Sequence, residues 1–249
     1  MPRTISYSVV SSTQEVAVRL AKEGAPHGTA VTAESQLLGH GREGRTWVSP
    51  KGGLYTSVVL RPEPTAFPLL SLAVGLELER TLSPLAPKAR LVVKWPNDLL
   101  LAPAEGTSVT RKTGGVLTDI ITRPGISAFA VVGVGLNVDC NRNDFPPELQ
   151  AQVASLQEFS DRRLVPAELG ESVVDAVVRA CGLVSTPEGR EGLPSALQPH
   201  LFGVGSEVTF EGSRGTFQGI GQEGEALVQL EDGGPPRSVR AGELLIEVP

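Results

Sequence analysis

Four apolar runs crowd into residues 91 to 138: LVVKW (91 to 95), LLL (99 to 101), GGVLTDII (114 to 121) and ISAFAVVGVGLNV (126 to 138). Each is short, carries aliphatic or β-branched side chains and is bounded by turn-forming residues, so the segment predicts neighbouring strands of one sheet. LYTSVVLR (54 to 61) adds a strand, and GTAVTAES (28 to 35) reads as another. Helical spacing is found around them. Ser12-Thr13-Gln14-Glu15 has the form of a capping box, and Val16, Ala17, Leu20 and Ala21 follow it, predicting a helix over about 13 to 23 that Gly24 ends. FPLLSLAVGLELERTL (67 to 82) and VPAELGESVVDAVVRACGL (165 to 183) predict two more helices, the second followed by a loop, VSTPEGREGLP. Strands and helices do not alternate strictly, which makes the class α+β. From about Gly203 the character changes to EVTF, GTFQGIG, EALVQLED and RSVRAGELLIEV, short strands between Gly, Asp and Pro turns that predict a small β-barrel. The expected division is a large domain over 1–200 and a small barrel over 201–249.

Composition narrows the function. A chain of 249 residues with 40% hydrophobic residues can bury a sizeable core. Its net charge of -6 disfavours a general nucleic-acid binder, so no nucleic-acid partner is expected and any basic site must be local. No segment approaches the roughly 20 apolar residues that cross a bilayer, and the expected location is the cytoplasm, away from membranes. Cys140 and Cys181 have no metal-ligand spacing and are expected as structural thiols.

GHGREGRTWVSP (39 to 50) contains Gly-x-Gly-x-x-Gly at Gly39, Gly41 and Gly44. A dinucleotide fingerprint needs a helix directly after the glycines, and Thr46-Trp47-Val48-Ser49-Pro50 does not start one. Two readings remain: a loop whose Arg42 and Arg45, with Lys51 nearby, grip an anion, or a solvated turn. KWPNDLLL (94 to 101) sets polar groups between two apolar strands; a plain turn explains Pro96, Asn97 and Asp98, but not Lys94 and Trp95. Lys112 precedes Gly114 and Gly115, which have no side chains to block a ligand; alone, it also fits an ordinary loop lysine. Gly133 and Gly135 mark either a backbone close to a ligand or close strand packing, with Asn137 the polar residue beyond them. His27, His40 and His200 stand apart and form no evident metal or catalytic cluster.

Taken in order, SSTQ (11 to 14), ESQLLGHGREGRTWVSPKGGLYTS (34 to 57), KWPNDLLL, RKTGGVLTDI (111 to 120), GVGLNV (133 to 138) and the closing barrel resemble the biotin protein ligases. The resemblance covers nearly the whole chain. It implies a central mixed β-sheet packed with helices, of the class II synthetase and biotin ligase kind, with an SH3-like C-terminal barrel. The implied activity is ATP-dependent formation of biotinyl-5′-AMP, followed by transfer of biotin to a lysine of a biotin carboxyl carrier protein domain. Mg²⁺ is implied with ATP, its ligands unknown. By resemblance, Arg42, Arg45, Lys112 and Asp98 are catalytic. Ser12, Thr13, Gln36, Gly39, His40, Arg42, Lys112 and Gly115 contact biotin, and Arg45, Trp47, Asn97 and Asn137 contact the nucleotide. Trp47 is expected against adenine and Asp98 is expected to orient or deprotonate the carrier lysine. Because SSTQ begins at residue 11, the expected type is monofunctional, without an N-terminal winged helix. His40 and Glu43 stand where basic residues are more frequent, and the stretch 102 to 110 looks long and is expected as a surface loop. A homodimer is expected through the central sheet. The rivals are a lipoyl or octanoyl ligase of the same fold and a non-catalytic biotin-binding regulator.

Overall fold

A computed structural model describes residues 3–103, 110–123, 126–210, 212–231, 233–240, 242 and 244–246. Residues 104–109, most of the long loop expected at 102 to 110, lie outside the described residues. The chain begins with strand β1 (Thr4–Val10), helix α1 (Thr13–Lys22) and strand β2 (Ala30–Gln36). β1 and β2 are parallel neighbours with α1 as their crossover, the connection that parallel pairing requires. Strands β3 (Gly53–Leu60), β4 (Ala89–Lys94), β5 (Asp98–Pro103), β6 (Arg111–Arg123) and β7 (Ile126–Asn137) complete a seven-stranded sheet in the order β1-β2-β3-β7-β6-β5-β4. The other pairings in this sheet are antiparallel, so the sheet is mixed.

Alternation along the strands decides what covers each face. In β7, Val132, Val134 and Leu136 point into the main core with helices α2 (Leu70–Leu82) and α4 (Pro166–Ser185). Phe129 and Val131 face the opposite way and meet Val31, Val59 and the small residues Ala17 and Ala21 of α1, which let the helix lie close to the sheet. Gly133, Gly135 and Asn137 continue this second face past the end of α1. A cavity lies over them.

Two sequence expectations change, and one strand lies where none was expected. β1 is a strand that the apolar pattern does not announce, because as an edge strand it leaves many of its side chains exposed. The capping box at Ser12 does not form: Ser12 is the N-cap of α1 by backbone position, but its hydroxyl makes no cap hydrogen bond. The segment VSTPEGREGLP is not a loop, since helix α5 occupies Pro187–Leu197. Thr186 accepts a hydrogen bond from the Gly189 amide and Pro187 sits at the first helical position, so these turn-like residues start a helix. A short helix, α3 (Pro147–Gln150), lies between β7 and α4.

Strands β8 (Glu207–Phe210), β9 (Ser213–Ile220), β10 (Ala226–Leu230), β11 (Arg237–Val239) and β12 (Leu245–Ile246) form a separate antiparallel five-stranded sheet, ordered β11-β10-β9-β8-β12. Its inner residues Val208, Phe217, Ile220, Ala226 and Val228 belong to the same buried cluster as Leu72, Val93 and Trp95. The C-terminal unit therefore shares a core with the large sheet.

Candidate active site

The glycine loop is a narrow hairpin. Gly41 N–H donates to Arg45 O at 2.8 Å and Trp47 N–H to Gly39 O at 2.9 Å, while Glu43 and Gly44 take positive φ values of 56° and 75° at its tip. A Cβ on Gly39 would come within 2.7 Å of Ser49 Oγ, so this position needs glycine to fold the loop on itself. Arg42 crosses from the loop to the KWPND turn, its Nη1 donating to Asn97 Oδ1 at 3.3 Å. Asn97 is held by Val116, to whose carbonyl its Nδ2 donates at 2.8 Å and from whose amide its carbonyl accepts at 2.9 Å. Arg45 lies 3.6 Å from Glu43 at the exposed tip, so the acidic substitution offsets part of the loop's charge. His40 Nε2 sits 2.9 Å from Glu15 Oε1 and fastens the loop to α1.

The KWPND residues turn from β4 into β5, with Lys94 and Asp98 paired across the strands. Trp95 is buried in the core and its indole N–H donates to Gly224 O at 2.9 Å in the C-terminal unit. This ring holds two parts of the molecule together. Asp98 faces Lys112, 2.6 Å from its Nζ. Lys112 also lies 5.2 Å from the centre of the Trp47 ring, a cation–π distance. Its backbone is clamped from the far side, where its amide donates to Gln152 O at 2.8 Å and its carbonyl accepts from Ala154 at 2.9 Å.

Gly115, Gly133 and Gly135 form the floor. A Cβ on Gly135 would approach the Trp47 ring to 2.6 Å, and one on Gly133 would approach Gln14 Oε1 to 2.6 Å. The glycines therefore let side chains and ligands come down onto the sheet. Above the floor is a cavity of about 750 Å³, within the range of small-molecule sites. Ser12, Thr13, Gln36, His40, Arg42, Arg45, Trp47, Asn97, Asp98, Lys112, Gly115 and Asn137 all line it. Among the expected site residues, Gly39 is not in that lining, although its carbonyl holds Trp47.

Ser12, Thr13 and Gln14 are at most 5% exposed, so one end of the cavity is buried and polar. Thr13 N–H donates to Gln36 Oε1 at 2.9 Å and Gln36 Nε2 donates to Ser49 Oγ at 2.9 Å. Ser12 Oγ, Trp47 Nε1 and Asn137 Oδ1 are buried without hydrogen-bond partners, and all three residues line this cavity. Unpaired buried polar atoms are costly, by about 1–3 kcal/mol each, unless a ligand or water completes them. The sequence reading missed Gln14 and Ser57 at the polar end and a wall of Phe145, Leu149, Gln152 and Val153 from the connection after β7. The apolar residues at 145, 149 and 153, spaced by four, were the available signal, obscured by Pro146 and Pro147.

Among the described residues, no group of three or more His, Cys, Asp or Glu side chains could hold a metal ion. Glu43 and Asp98 are the acidic residues in the cavity lining, and Asp98 is already paired with Lys112. Such a donor set fits a cation that arrives on a phosphate rather than one held by the protein. No helix of the described residues is long and apolar enough to cross a membrane.

Fold and cavity together define a class: α+β proteins that hold a small molecule on a mixed sheet, polar and buried at one end and cationic beneath a glycine–arginine hairpin at the other. A model of the biotin/lipoate A/B protein ligase family matches residues 6–137. The bifunctional ligase/repressor BirA of Bacillus subtilis is 30% identical over 240 residues, covering 92% of this chain and 70% of its own. The biotin--[acetyl-CoA-carboxylase] ligase of Paracoccus denitrificans is 37% identical over 130 residues, 51% of either chain. The structure of biotin protein ligase from Aquifex aeolicus in complex with biotin and ATP is similar over 99% of both chains, with 27% identity and a TM-score of 0.78. The chain belongs to the biotin/lipoate A/B protein ligase family.

Proposed function

We propose that the protein is an ATP-dependent biotin protein ligase, which forms biotinyl-5′-AMP and passes biotin to a lysine of a carrier domain. The observation that carries this reading is the convergence of a buried polar end (Ser12, Thr13, Gln36) and a cationic end (Arg42, Lys112) in one cavity. The carboxylate oxygen of biotin attacks the α-phosphorus of ATP, and the bond to pyrophosphate breaks. Two anions about 4 Å apart repel by about 4 kcal/mol at an effective dielectric near 20, so the site must supply positive charge. Lys112 and Arg42 supply it, Lys112 exchanging its contact with Asp98 for the substrate oxygens. Arg45 reaches the outer phosphates from the hairpin tip; Mg²⁺, when present with ATP, would neutralise phosphate charge there.

In the second half-reaction the neutral amine of the carrier lysine attacks the acyl carbon, forms an amide and displaces AMP. Asp98, released from Lys112, accepts the amine proton. Ser12, Thr13 and Gln36 hold the ureido ring, with His40 closing the pocket. Trp47 packs between ligand and loop, and Asn137 turns its unpaired oxygen to the nucleotide. Asn97 contributes by fixing Arg42. We expect the homodimer to form along β6 beyond Gly115, where β5 pairing ends; the exposed Ile120, 46% accessible, supports this reading.

The test is incubation with ATP, Mg²⁺ and biotin or lipoate, followed by mass measurement of a biotin carrier domain. A biotin-sized mass gain is expected. A lipoyl gain would establish the rival ligase, and adenylate formation without transfer would establish a regulator. Replacing Asp98 by Ala and finding normal transfer from preformed biotinyl-AMP would remove its proposed role.

A further inference from the structure

Gln14 follows the two positions expected to hold the ureido ring, and its side-chain amide is fully engaged. Nε2 donates to Asp119 Oδ2 and to Val131 O, each at 3.0 Å, while Oε1 accepts from Ser57 Oγ at 2.9 Å. A carboxylate and a backbone carbonyl only accept, so the amide has one orientation. Ser57 thereby gives its single proton to Gln14 and must accept in its 2.9 Å contact with Thr13 Oγ1. Thr13 in turn has one proton and two acceptors, Ser57 Oγ and Gln36 Oε1, the latter at 3.1 Å. The Gln36 amide cannot reverse to help, because its oxygen receives the Thr13 N–H and its nitrogen donates to Ser49. Ser57 and Thr13 thus spend both hydroxyl protons inside the chain, and Gln36 Oε1 already receives the Thr13 N–H. What Thr13 Oγ1 and Gln36 Oε1 have left to offer a ligand is acceptor lone pairs, and both residues line the cavity.

We propose that Gln14, anchored by Asp119, is a positioning residue that sets substrate specificity: it draws the hydroxyl protons away from the cavity, so that Thr13 and Gln36 present acceptors to a ring bearing N–H donors. This rests on the biotin reading above and deepens it. The cyclic urea of biotin brings N–H donors to these open lone pairs, whereas an acid of similar length without ring N–H groups, such as lipoate, leaves them unfilled. A site that binds N–H groups through buried acceptors discriminates strongly against analogues that lack them. Asp119 acts through Gln14, outside the cavity lining, so its effect on substrate is indirect.

The experiment measures biotin and lipoate binding by calorimetry, together with steady-state kinetics, for the wild type, Gln14→Met, Asp119→Ala and Asp119→Asn. Methionine keeps the length of the side chain and removes its donors and its amide acceptor. Biotin Kd and KM are expected to rise about tenfold in Gln14→Met, the scale of one hydrogen bond, and kcat to change less than about twofold. Lipoate binding should change far less, narrowing the preference between the two acids. Asp119→Ala should lose biotin affinity in the same direction, and Asp119→Asn, which still offers Gln14 an acceptor, should recover most of it. Equal weakening of both acids, a fall in kcat matching the rise in KM, or Asp119→Asn as impaired as Asp119→Ala would overturn the proposal. Should Gln14→Met fail to fold, the two aspartate variants still separate these outcomes. Wild-type protein that bound lipoate and not biotin would overturn the biotin reading as well; biotin binding unaltered in all three variants would overturn this proposal alone.

Discussion

At the scale of single residues, charge and burial separate the groups that act from those that support. Lys112 stands 2.6 Å from Asp98 and 5.2 Å from the Trp47 ring centre, so its ammonium is already placed on the cavity floor. In the proposed reaction its positive charge is needed most where charge builds up between carboxylate and phosphate, and less where the polar ring of biotin is held. Lys112→Ala is therefore expected to slow adenylation by roughly 100-fold or more while weakening biotin binding far less. Pyrophosphate exchange beside calorimetry measures both; equal losses would place the lysine in ground-state binding only. The cysteines are the opposite case. Burial pushes the Cys140 thiol up to about 12, and the Cys181 thiol also rises by burial. A raised thiol pKa keeps the sulfur protonated below that value, and the thiolate is the nucleophile. In the folded protein at pH 8, neither thiol is expected to react with iodoacetamide on the timescale of a free thiol; rapid labelling of Cys140 would show that its surroundings open.

At the scale of elements, the sheet was legible because buried strands are written as apolar runs between turn formers. β3 to β7 follow those runs, and Gly115, Gly133 and Gly135 come out on one face because alternation puts them there. The glycine hairpin was legible as a motif, but its contacts were not: that Arg42 rests on Asn97, itself fixed by Val116, depends on residues far apart in sequence. β1 was hidden by its exposed side chains, and α5 by glycines and prolines that here cap and start a helix. Gln14 resembled one more helix-start residue, and only tertiary partners at positions 57, 119 and 131 reveal its amide as a fixed polar switch point. The glycine floor gives a test at this scale. Gly135→Ala adds a Cβ that would lie 2.6 Å from the Trp47 ring, so the ring must lift from the sheet. ATP affinity is expected to fall by at least about tenfold with a changed tryptophan emission, and the loss of stability to stay within about 1–3 kcal/mol, the range for overpacking. Unchanged affinity and emission would mean that Trp47 moves freely at that place.

For the whole molecule, the central question is whether the C-terminal sheet is an appendage or a wall of the site. Sequence composition marks the change of character near Gly203, but it cannot tell that both units bury one continuous cluster. Among the contacts at the junction, Phe202 N–H donates to Val93 O at 2.9 Å, Leu201 bridges to Val93, and the Trp95 indole donates to Gly224 O at 2.9 Å. Phe202, Gly242 and Ile246 then reach the cavity lining, so the position of the barrel bears on the shape of the site. The KWPND motif accordingly has two tasks in adjacent residues, Trp95 fastening the barrel and Asn97 and Asp98 facing the cavity. A shared core predicts cooperative unfolding, with tryptophan emission and far-ultraviolet dichroism lost together in urea. Trp95→Phe keeps an aromatic ring in the core but removes the N–H, leaving the Gly224 carbonyl without that donor. It is expected to cost about 1–3 kcal/mol from the lost hydrogen bond and the smaller ring, and to loosen the barrel ahead of the main sheet. The measurement is amide exchange across β8 to β12: faster exchange there than in β3 and β7 is the expected result. If the wild type already loses the barrel in a separate, earlier transition, the common core does not bind the two units into one cooperative structure, and the junction contacts seen around Trp95 carry little energy.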